Sequence, residues 1–361
     1  MNSKLKMIPI QIIELEDRVI LKRGLSSVEI PDKNALVIIK VIQKALMKSA
    51  QTKEELLSLF AGGVRPIIDA FIEHLINKKF ILLEGEQPTD NTDEQAQDIF
   101  YWHFNSHQKE VSDVLNDAQW TFVGVNKLSK FIISALLRDG IEAFTIIDEQ
   151  SLRNVDFFDN EHQITDPFWA NEKLKIVSTD GYLASINQKQ FLVAASEFGS
   201  FYLLEEWNKL ALDNDIPFYP ILLQNMVGYA GPLVLKTEGA CLECLKIRQN
   251  STTSDFNEKR ITEQFAFEGQ KVVAYHESML RTLAEVAAFE LVKFKSSIQW
   301  ELSSVLELDL LASTMQRRKV IKAPRCKACS PLNTKPMVNL HKQMTSDENW
   351  EMIEQTVGYD E

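Results

Sequence analysis

Residues 119–148, QWTFVGVNKLSKFIISALLRDGIEAFTIID, decide the fold of this chain. An apolar run ends at Val123, apolar residues recur at helical spacing from Lys127 to Leu137, and Gly140 ends the helix. A second apolar strand follows and ends at Asp148. The order of strand, turn, helix and strand predicts the first βαβ unit of a parallel, nucleotide-binding type of sheet.

Further strands and a helix follow this unit. The segments KLKIVS, QFLVAAS and IPFYPILL are short apolar runs typical of buried strands. The segment FYLLEEWNKLAL has the periodicity of a connecting helix. Residues 119–335 are therefore predicted to form a Rossmann-type α/β domain, which makes the chain a member of the α/β fold class.

The turn after the first strand carries little of the pattern expected of a phosphate loop. Glycines in such a turn let the backbone bring phosphate oxygens to the helix N-terminus. Only Gly124 is present, and the side chains of Asn126, Lys127 and Ser129 crowd the phosphate path. Lys127 can meet a phosphate, and Asp148 has the position of a ribose-binding carboxylate or of a simple turn cap. A working ATP or NAD site remains an open alternative.

The four cysteines of the chain form two CxxC pairs, Cys241 with Cys244 and Cys326 with Cys329. Two such turns supply the four thiolates of a tetrahedral zinc site with no open position. A redox role would need a thioredoxin pattern around a pair, which the sequence lacks. We therefore predict a structural zinc ion, which uses every cysteine and leaves none as a catalytic nucleophile.

The N-terminal part of the chain has the strand and helix order of a winged-helix module. Alternating segments predict strands at IQIIEL, RVILKR and SSVEI, three helices follow, and FILLEG closes the unit as a strand. Thr52 and Glu55 form a capping box for the second helix. Ile67, Phe71 and Leu75 define the predicted apolar stripe of the third.

Two kinds of partner suit this module, duplex DNA and an extended peptide. Residues 1–84 hold 13 basic and 10 acidic residues, which is a weak positive balance for a phosphate-tracking module. We therefore favour peptide capture, in which the peptide adds a strand to an exposed sheet edge and the third helix supplies apolar pockets. The predicted peptide-binding residues are Ser27, Val28, Glu29 and Ile30 on the edge, with Ile67, Ile68 and Phe71 on the facing helix.

Composition sets the remaining limits. The chain of 361 residues has a formal net charge of -12, which disfavours nucleic acid as the main partner. No apolar run reaches the length of a membrane span and the N-terminus lacks a signal-peptide pattern, so we predict a cytoplasmic protein with no membrane partner. Residues 85–118 are predicted as an acidic linker with a short helix. Residues 336–361 are predicted as an acidic tail, with Trp350, Met352 and Tyr359 as candidate anchors for a partner.

The region around the first CxxC pair resembles a known superfamily. Gly231 and Pro232 precede the segment ACLECLKIRQ, and a second CxxC pair lies near the C-terminus, as in the ThiF/ubiquitin-activating superfamily of adenylating enzymes. The stretch GPLVLKTEGACLECLKIR, residues 231–248, resembles the leader-peptide-binding proteins of thiazole/oxazole-modified microcin (RiPP) biosynthesis. The resemblance implies a winged-helix precursor-recognition element joined to a ThiF-like domain. It also implies a homodimer, which this superfamily often forms.

Several positions depart from the pattern of the active adenylating members. Those members carry an Asn, an Arg and a Gln after the strand-end acid, whereas this chain has Arg153 and Asn154 in a different order. They also place a magnesium-binding Asp after a later strand, where this chain has Glu197. The resemblance therefore implies a degenerate nucleotide site, at which no ATP is expected to bind, formed by Gly124, Lys127, Asp148 and Arg153.

The function implied by the resemblance is that of a non-catalytic subunit. Such a protein binds the leader of a ribosomally synthesised precursor peptide and presents the core to a YcaO-type cyclodehydratase, which uses ATP to convert Cys, Ser or Thr residues to azolines. We expect that cyclodehydratase to be a separate chain acting in trans. Two alternatives remain open: an active ThiF-type adenylating enzyme that modifies a peptide, and a winged-helix transcription regulator.

Overall fold

The computed structural model describes residues 3–7, 9–83, 92–104, 106–251, 258, 261 and 274–331. The chain divides into two units, Met1–Asp117 and Ala118–Glu361. Within the described residues, no helix has the length and apolar character needed to cross a membrane. The predicted tail anchors Trp350, Met352 and Tyr359 lie outside the described residues.

The first unit consists of short strands and helices. Its strands are β1 (Lys4–Met7), β2 (Gln11–Glu14), β3 (Val19–Arg23), β4 (Ser26–Ile30), β5 (Gln51–Thr52) and β6 (Ile81–Leu83). Its helices are α1 (Ala35–Lys48), α2 (Lys53–Ser58), α3 (Arg65–Asn77), α4 (Thr92–Trp102) and α5 (Gln108–Asp117). The predicted strands at β2, β3, β4 and β6 and the predicted helices α1, α2 and α3 are present. The short strands β1 and β5 were not predicted, because so few residues carry no clear alternation.

The strands of the first unit form two three-stranded sheets, with the orders β5-β1-β6 and β2-β3-β4. In the second of these, β4 pairs antiparallel with β3 and lies at an edge of the sheet among the described residues. The assignment of this unit to the winged-helix class stays a prediction. The arrangement leaves the predicted peptide-binding strand with one side unpaired in the described chain.

Helix α3 buries a different stripe from the predicted one. Ile68, Ile72 and Leu75 are its buried residues, whereas Ile67 is 73% exposed. Residues 68, 72 and 75 follow the helical spacing that turns one face to the core. The predicted stripe was therefore wrong at Ile67, since the next residue, Ile68, is the buried one. The capping box of α2 is confirmed, since the Thr52 side chain accepts from the Glu55 N–H and the Glu55 side chain accepts from the Thr52 N–H.

The stripe of α3 leads to a matched pair of stability predictions. The Ile72→Ala variant is expected to lose about 2 to 5 kcal/mol of unfolding free energy, because a fully buried side chain is replaced by a cavity. The Ile67→Ala variant should change it by less than about 0.5 kcal/mol, because that side chain is mostly exposed. Urea denaturation of both full-length variants measures the difference, and equal losses would contradict the observed stripe.

The second unit alternates strands and helices before ending in antiparallel strands. Its strands are β7 (Gln119–Val123), β8 (Phe144–Asp148), β9 (Leu174–Ser178), β10 (Gln190–Ser196), β11 (Phe218–Gln224), β12 (Val227–Ala230), β13 (Ser304–Asp309) and β14 (Thr314–Lys319). Its helices are α6 (Lys127–Arg138), α7 (Thr179–Leu183), α8 (Glu205–Asn214), α9 (Leu242–Ser251) and α10 (Glu277–Lys295).

The strands of the second unit form an eight-stranded sheet in the order β14-β13-β12-β11-β10-β7-β8-β9. Strands β11, β10, β7, β8 and β9 are parallel, and β12, β13 and β14 continue the sheet antiparallel. The chain moves outward from β7 through β8 to β9, and then returns to the other side of β7 as β10. At such a switch point, the carboxyl ends of the strands form the crevice where α/β sheets bind ligands. The predicted α/β fold with a Rossmann-type sheet is confirmed.

The centre of this sheet is buried on both faces. Every residue of β10 after Gln190 is buried, as expected for a parallel strand covered by helices on both sides. Helix α6 follows β7 and turns Leu128, Ile132 and Leu136 into the core, each at 0% exposure. The predicted face of this helix is confirmed, and its packing fixes the position of its N-terminus at the crevice.

Candidate functional site

The four cysteines predicted to hold zinc come together in the second unit. Cys241 immediately precedes α9 and Cys244 lies in its first turn, while Cys326 and Cys329 lie in the segment after β14. The four Sγ atoms all lie within 4.8 Å of one another. The two CxxC turns therefore converge on one point.

The spacing of the sulfur atoms fits a tetrahedral zinc ion. The Sγ atom of Cys241 lies 3.8 Å from that of Cys244 and 3.6 Å from that of Cys326, and the Cys244 and Cys329 sulfurs are 3.5 Å apart. Four ligands at a Zn–S distance of about 2.3 Å are separated from one another by about 3.8 Å. The cluster is compatible with a structural zinc ion and offers four ligands of one kind.

The surroundings of the cluster suit thiolate ligands. Cys241, Cys244 and Cys326 are buried and Cys329 is half-buried. The backbone N–H of Ala323 donates a hydrogen bond to the Cys244 Sγ atom at 3.3 Å, which favours the charged form of a ligand. Because Cys241 and Cys326 are 85 positions apart in the sequence, a metal bound here would cross-link two distant segments of the core.

The predicted nucleotide-site residues lie at the carboxyl ends of β7 and β8, and the turn after β7 is filled. Gly124 has a φ of +104°, and a Cβ atom there would meet the Nδ2 atom of Asn126 at 2.6 Å. Asn126 is fully buried and caps α6, because its Oδ1 atom accepts from the Ser129 N–H at 2.9 Å. Its Nδ2 atom donates to the carbonyl oxygens of Leu152 and Ala195, at 3.0 and 2.8 Å. The Asn126 side chain thereby ties the start of α6 to β10 and to the segment after β8.

A carboxylate of the chain itself lies at the N-terminus of α6. Glu197, which follows β10, is 1% exposed, and its Oε2 atom accepts from the Lys127 N–H at 2.9 Å. Its Oε1 atom accepts from the Nδ2 atom of Asn154. Burial raises the pKa of Glu197, and the hydrogen bonds from Asn154 and Lys127 only partly oppose that rise. Since a helix N-terminus attracts anions, Glu197 takes the position that suits a phosphate group.

The remaining predicted nucleotide-site residues are paired within the chain. Asp148 accepts two hydrogen bonds from the Arg153 guanidinium, at 2.6 and 2.7 Å. The side-chain hydrogen bond to Asp148 raises the pKa of Arg153 against the effect of burial. The Nζ atom of Lys127 lies 3.5 Å from the carboxylate of Asp156. A ribose hydroxyl or a phosphate would therefore have to displace existing partners.

Three residues complete this crevice beyond the predicted site residues: Asn126, Asn154 and Glu197. The positions of Asn126 and Glu197 were signalled in the sequence, as departures from a glycine-rich turn and from a metal-binding Asp. The contact between Asn154 and Glu197 joins residues 43 positions apart, and no local pattern predicts it. Together these side chains make the crevice a closed hydrogen-bonded centre.

The edge strand β4 directs part of its backbone away from the sheet. Arg23 and Ser26 flank a two-residue turn and pair with each other, and Gly24 in that turn has a φ of +54°. In such a hairpin the flanking pair is hydrogen-bonded and the pairs then alternate, so Ser27 and Glu29 are the non-bonded positions. Their N–H and C=O groups point away from β3, where an added strand would meet them.

The turn that sets this register is held by a side chain of the first unit. The Oγ atom of Ser26 lies 2.7 Å from the Nδ1 atom of His103. A Cβ atom at Gly24 would meet the Nε2 atom of His103 at 2.9 Å, so the turn needs glycine. Burial and the nearby Arg23 lower the pKa of His103. The start of β4 is thus fixed by contacts to the residue just after α4.

The helix residues predicted to face a peptide have different environments. Ile67 is 73% exposed and Phe71 is partly buried. Ile68 is 2% exposed and belongs to the same hydrophobic cluster as Val28 of β4. Ile68 therefore supports α3 from inside the core, and Ile67 and Phe71 are the members of the predicted set on this helix that a peptide can reach.

Comparison with known proteins gives a likeness in fold. No protein-family model matches the sequence, and no curated protein matches it. The solved structure of E. coli MccB with AMPCPP and MccA is similar over 90% of this chain and 99% of that chain, with a TM-score of 0.64 and 14% identity. The structure of E. coli MccB with ATP gives a TM-score of 0.63 over the same shares of the two chains, again at 14% identity.

A second group of similar structures is larger than this chain. The heterocyclase TruD is similar over 91% of this chain but 43% of its own length, with a TM-score of 0.59 and 16% identity. A heterocyclase in complex with substrate and cofactor gives a TM-score of 0.57 at 15% identity, over 91% of this chain and 40% of the other. At these levels of identity the likeness establishes a common fold: this chain is folded like MccB and like part of TruD.

Proposed function

We propose that this chain binds the leader of a ribosomally synthesised precursor peptide and presents the peptide to a separate cyclodehydratase of the YcaO type. The observation that carries the proposal is the edge strand β4, in which Ser27 and Glu29 direct N–H and C=O groups away from β3. An extended peptide along this edge adds a strand to the sheet and gains main-chain hydrogen bonds. Ile67 and Phe71 supply apolar contacts to its side chains.

The filled crevice supports a non-catalytic role. The Asn126 side chain occupies the turn after β7, and the Asp148 carboxylate is paired with Arg153. The Glu197 carboxylate accepts a hydrogen bond from the Lys127 N–H at the start of α6. A nucleotide entering this crevice would leave some of these buried polar groups without partners, which costs about 1 to 3 kcal/mol for each group. We therefore infer that the ATP-dependent step belongs to the partner chain.

The similar structures support the same class of function. MccB was solved with MccA, and TruD is a heterocyclase. This chain spans 43% of the length of TruD, and in our proposal the cyclodehydratase that acts on the bound peptide is a separate polypeptide. We expect this chain to co-purify with a YcaO-type protein, and the interaction should need no nucleotide and should persist at moderate salt concentrations.

Strand addition leads to a sharp test of the peptide site. The Ser27→Pro/Glu29→Pro double variant removes two N–H groups that point away from β3, and proline is tolerated in an edge strand at such positions. The probe is a fluorescein-labelled synthetic peptide with the sequence of the N-terminal half of a candidate short, Cys/Ser/Thr-rich precursor. We expect a dissociation constant of about 1 µM or tighter for the parent, weakened roughly tenfold or more in the double variant, measured by fluorescence anisotropy.

The matched control lies on the opposite edge of the same sheet. Glu14 of β2 is exposed and pairs with Val19. The next residues, Leu15 and Arg18, flank a two-residue turn and are joined by a hydrogen bond from the Leu15 N–H to the Arg18 carbonyl. Glu14 and Val19 therefore form a pair without hydrogen bonds between them. The Glu14→Pro variant therefore loses an outward N–H group away from the proposed site. Its affinity should equal that of the parent. Equal dissociation constants for the parent and both variants would contradict the strand-addition proposal.

The second candidate function is an active adenylating enzyme, and the likeness to MccB solved with ATP favours it. In that case Lys127 and Arg153 would leave Asp156 and Asp148 to hold the nucleotide. The isolated chain would then exchange pyrophosphate into ATP in the presence of peptide and magnesium. Our proposal expects no exchange above a protein-free blank, and measurable exchange would decide in favour of the enzyme.

A further inference from the structure

The hairpin turn that precedes β4 lies against the ring of His103. The Oγ atom of Ser26 is 2.7 Å from the Nδ1 atom of His103, and the Leu25 N–H donates to its Nε2 atom at 3.4 Å. A Cβ atom added at Gly24 would lie 2.9 Å from the same Nε2 atom. Both ring nitrogens therefore contact the turn, and this turn sets the register of β4 against β3.

These contacts require one form of the imidazole ring. The backbone N–H of Leu25 can only donate, so the Nε2 atom of His103 has to accept and carries no proton. The proton of the neutral ring is then on Nδ1, from which it is donated to the Ser26 hydroxyl. A second proton, on Nε2, would set two donors against each other and remove the contact with Leu25.

The surroundings of His103 disfavour that second proton. The ring is half-buried, and burial together with the Arg23 charge lowers its pKa. Arg23 is itself 4% exposed. Its guanidinium carbon lies 4.9 Å from the centroid of the Phe80 ring and 5.0 Å from that of the Trp102 ring.

Arg23 is a buried positive charge without a counter-charge. Its Nη2 atom donates to the carbonyl oxygen of Lys78 at 3.3 Å, and within the described ranges its Nε and Nη1 atoms have no hydrogen-bond partner. A protonated His103 would add a second positive charge nearby, and no carboxylate among the described residues acts on His103 to oppose it. Protonation of the ring is therefore unfavourable as long as the ring stays in contact with the turn.

We propose that His103 is a pH-sensitive switch on the peptide-binding edge, closed when the ring is neutral and open when it is protonated. In the closed form the ring holds the turn, so that Ser27 and Glu29 present their backbone groups to an added strand. In the open form the turn loses its contacts with the ring, and a peptide that binds has to restore them, which weakens its binding. This inference rests on the proposed function and adds a condition under which the peptide is released.

The lowered pKa of His103 gives the direction of the pH dependence. In the open form the ring is released to solvent, with an ordinary pKa of about 6.5, so the closed form binds the proton less tightly. The closed form carries no penalty well above about pH 6.5. The penalty grows as the pH falls below that value and is complete below the pKa of the closed form.

Isothermal titration calorimetry of the full-length protein tests the switch. The probe is the unlabelled form of the synthetic precursor peptide used above, with any histidine replaced by glutamine. We expect its dissociation constant to rise roughly fivefold or more between about pH 7.5 and about pH 5 in the parent. The His103→Gln variant keeps a neutral acceptor for the Leu25 N–H, and its dissociation constant should change by less than about twofold over the same range.

The control variant is His162→Asn, which removes an exposed histidine of the second unit at a φ of +61°, a conformation that asparagine tolerates. It should show the same rise as the parent. Peptide binding with no rise in the parent, or with an equal rise in the His103→Gln variant, would overturn the switch and leave the proposed function standing. Absence of peptide binding at every pH would overturn the proposed function, and the switch with it.

Proton–nitrogen correlation NMR of the histidine rings tests the contacts of His103 without any peptide. The His103→Gln variant identifies the His103 signals by their loss. We expect the Nδ1–H form of the ring at neutral pH, because Nε2 accepts from the Leu25 N–H. A ring in the Nε2–H form would overturn the proposal.

Discussion

Removal of zinc is expected to destabilise the second unit strongly. Incubation with a chelator, or the Cys244→Ser substitution, should lower its melting temperature by roughly 10 °C or more, because the binding free energy of a structural zinc ion is part of the folding free energy. Cys241, Cys244 and Cys326 belong to the hydrophobic core of this unit, so the loss reaches packed side chains. Differential scanning calorimetry, combined with metal analysis by mass spectrometry, measures the effect and the expected ratio of one zinc per chain.

Adding zinc back to the metal-free protein is the control for this prediction. Added zinc should restore the melting temperature of the chelated parent, whereas magnesium should not, because thiolates prefer zinc over a hard cation. In the Cys244→Ser variant zinc should restore little, because one ligand is missing. A metal-free protein with the full melting temperature would show that the four thiols pack without an ion.

Loss of the Glu197 carboxylate is expected to be the second large effect. The Glu197→Ala variant leaves the Lys127 N–H and the Asn154 amide without their acceptor and opens a cavity at a position that is 1% exposed. Each unsatisfied buried group costs about 1 to 3 kcal/mol, so we expect the unfolding free energy to fall by about 3 kcal/mol in total. Urea denaturation of the full-length protein at neutral pH measures this loss.

The Glu197→Gln variant separates shape from charge. Its amide keeps the volume and one acceptor oxygen, so its loss should be less than that of the alanine variant. Because burial raises the pKa of Glu197 in the folded state, the folded protein binds the proton more tightly than the unfolded chain does. The stabilisation that results from this tighter proton binding is fully present below the unfolded pKa of about 4.3 and is lost as the pH rises through the folded pKa.

The stability of the parent relative to Glu197→Gln should therefore fall as the pH rises through that window. Urea denaturation of both proteins at several pH values between about 4 and 7 gives the difference directly. Unfolding free energies that change in parallel with pH in the two proteins would contradict this prediction, because they would mean that Glu197 has the same pKa in the folded and the unfolded protein.

The parts of the fold that sequence predicted are those governed by neighbours in the chain. The βαβ unit at residues 119–148 has local periodicity and a glycine after its helix, and it forms as expected. The capping box at Thr52 and Glu55 likewise depends on residues three positions apart. The cysteine cluster joins distant segments, but the chemistry of zinc requires such pairs to meet, so it was also predictable.

Other features depended on packing that a local pattern does not specify. The spacing of Ile67, Phe71 and Leu75 is as helical as that of Ile68, Ile72 and Leu75, and only the position of the core decides which stripe is buried. In the crevice, the crowding by Asn126 was predictable from its place in the turn, whereas the hydrogen bond between Asn154 and Glu197 required the fold itself. The carboxylate at the start of α6 is therefore a structural finding.

The internal carboxyl group of Glu197 affects how the stability of the second unit depends on nucleotide concentration. A fold whose helix N-terminus is completed by a phosphate gains stability as the nucleotide concentration rises, by mass action. Here the acceptor at the start of α6 is the carboxyl group of Glu197, which is covalently part of the chain. On the proposed non-catalytic role, we expect the unfolding free energy of this unit to be independent of the ATP concentration.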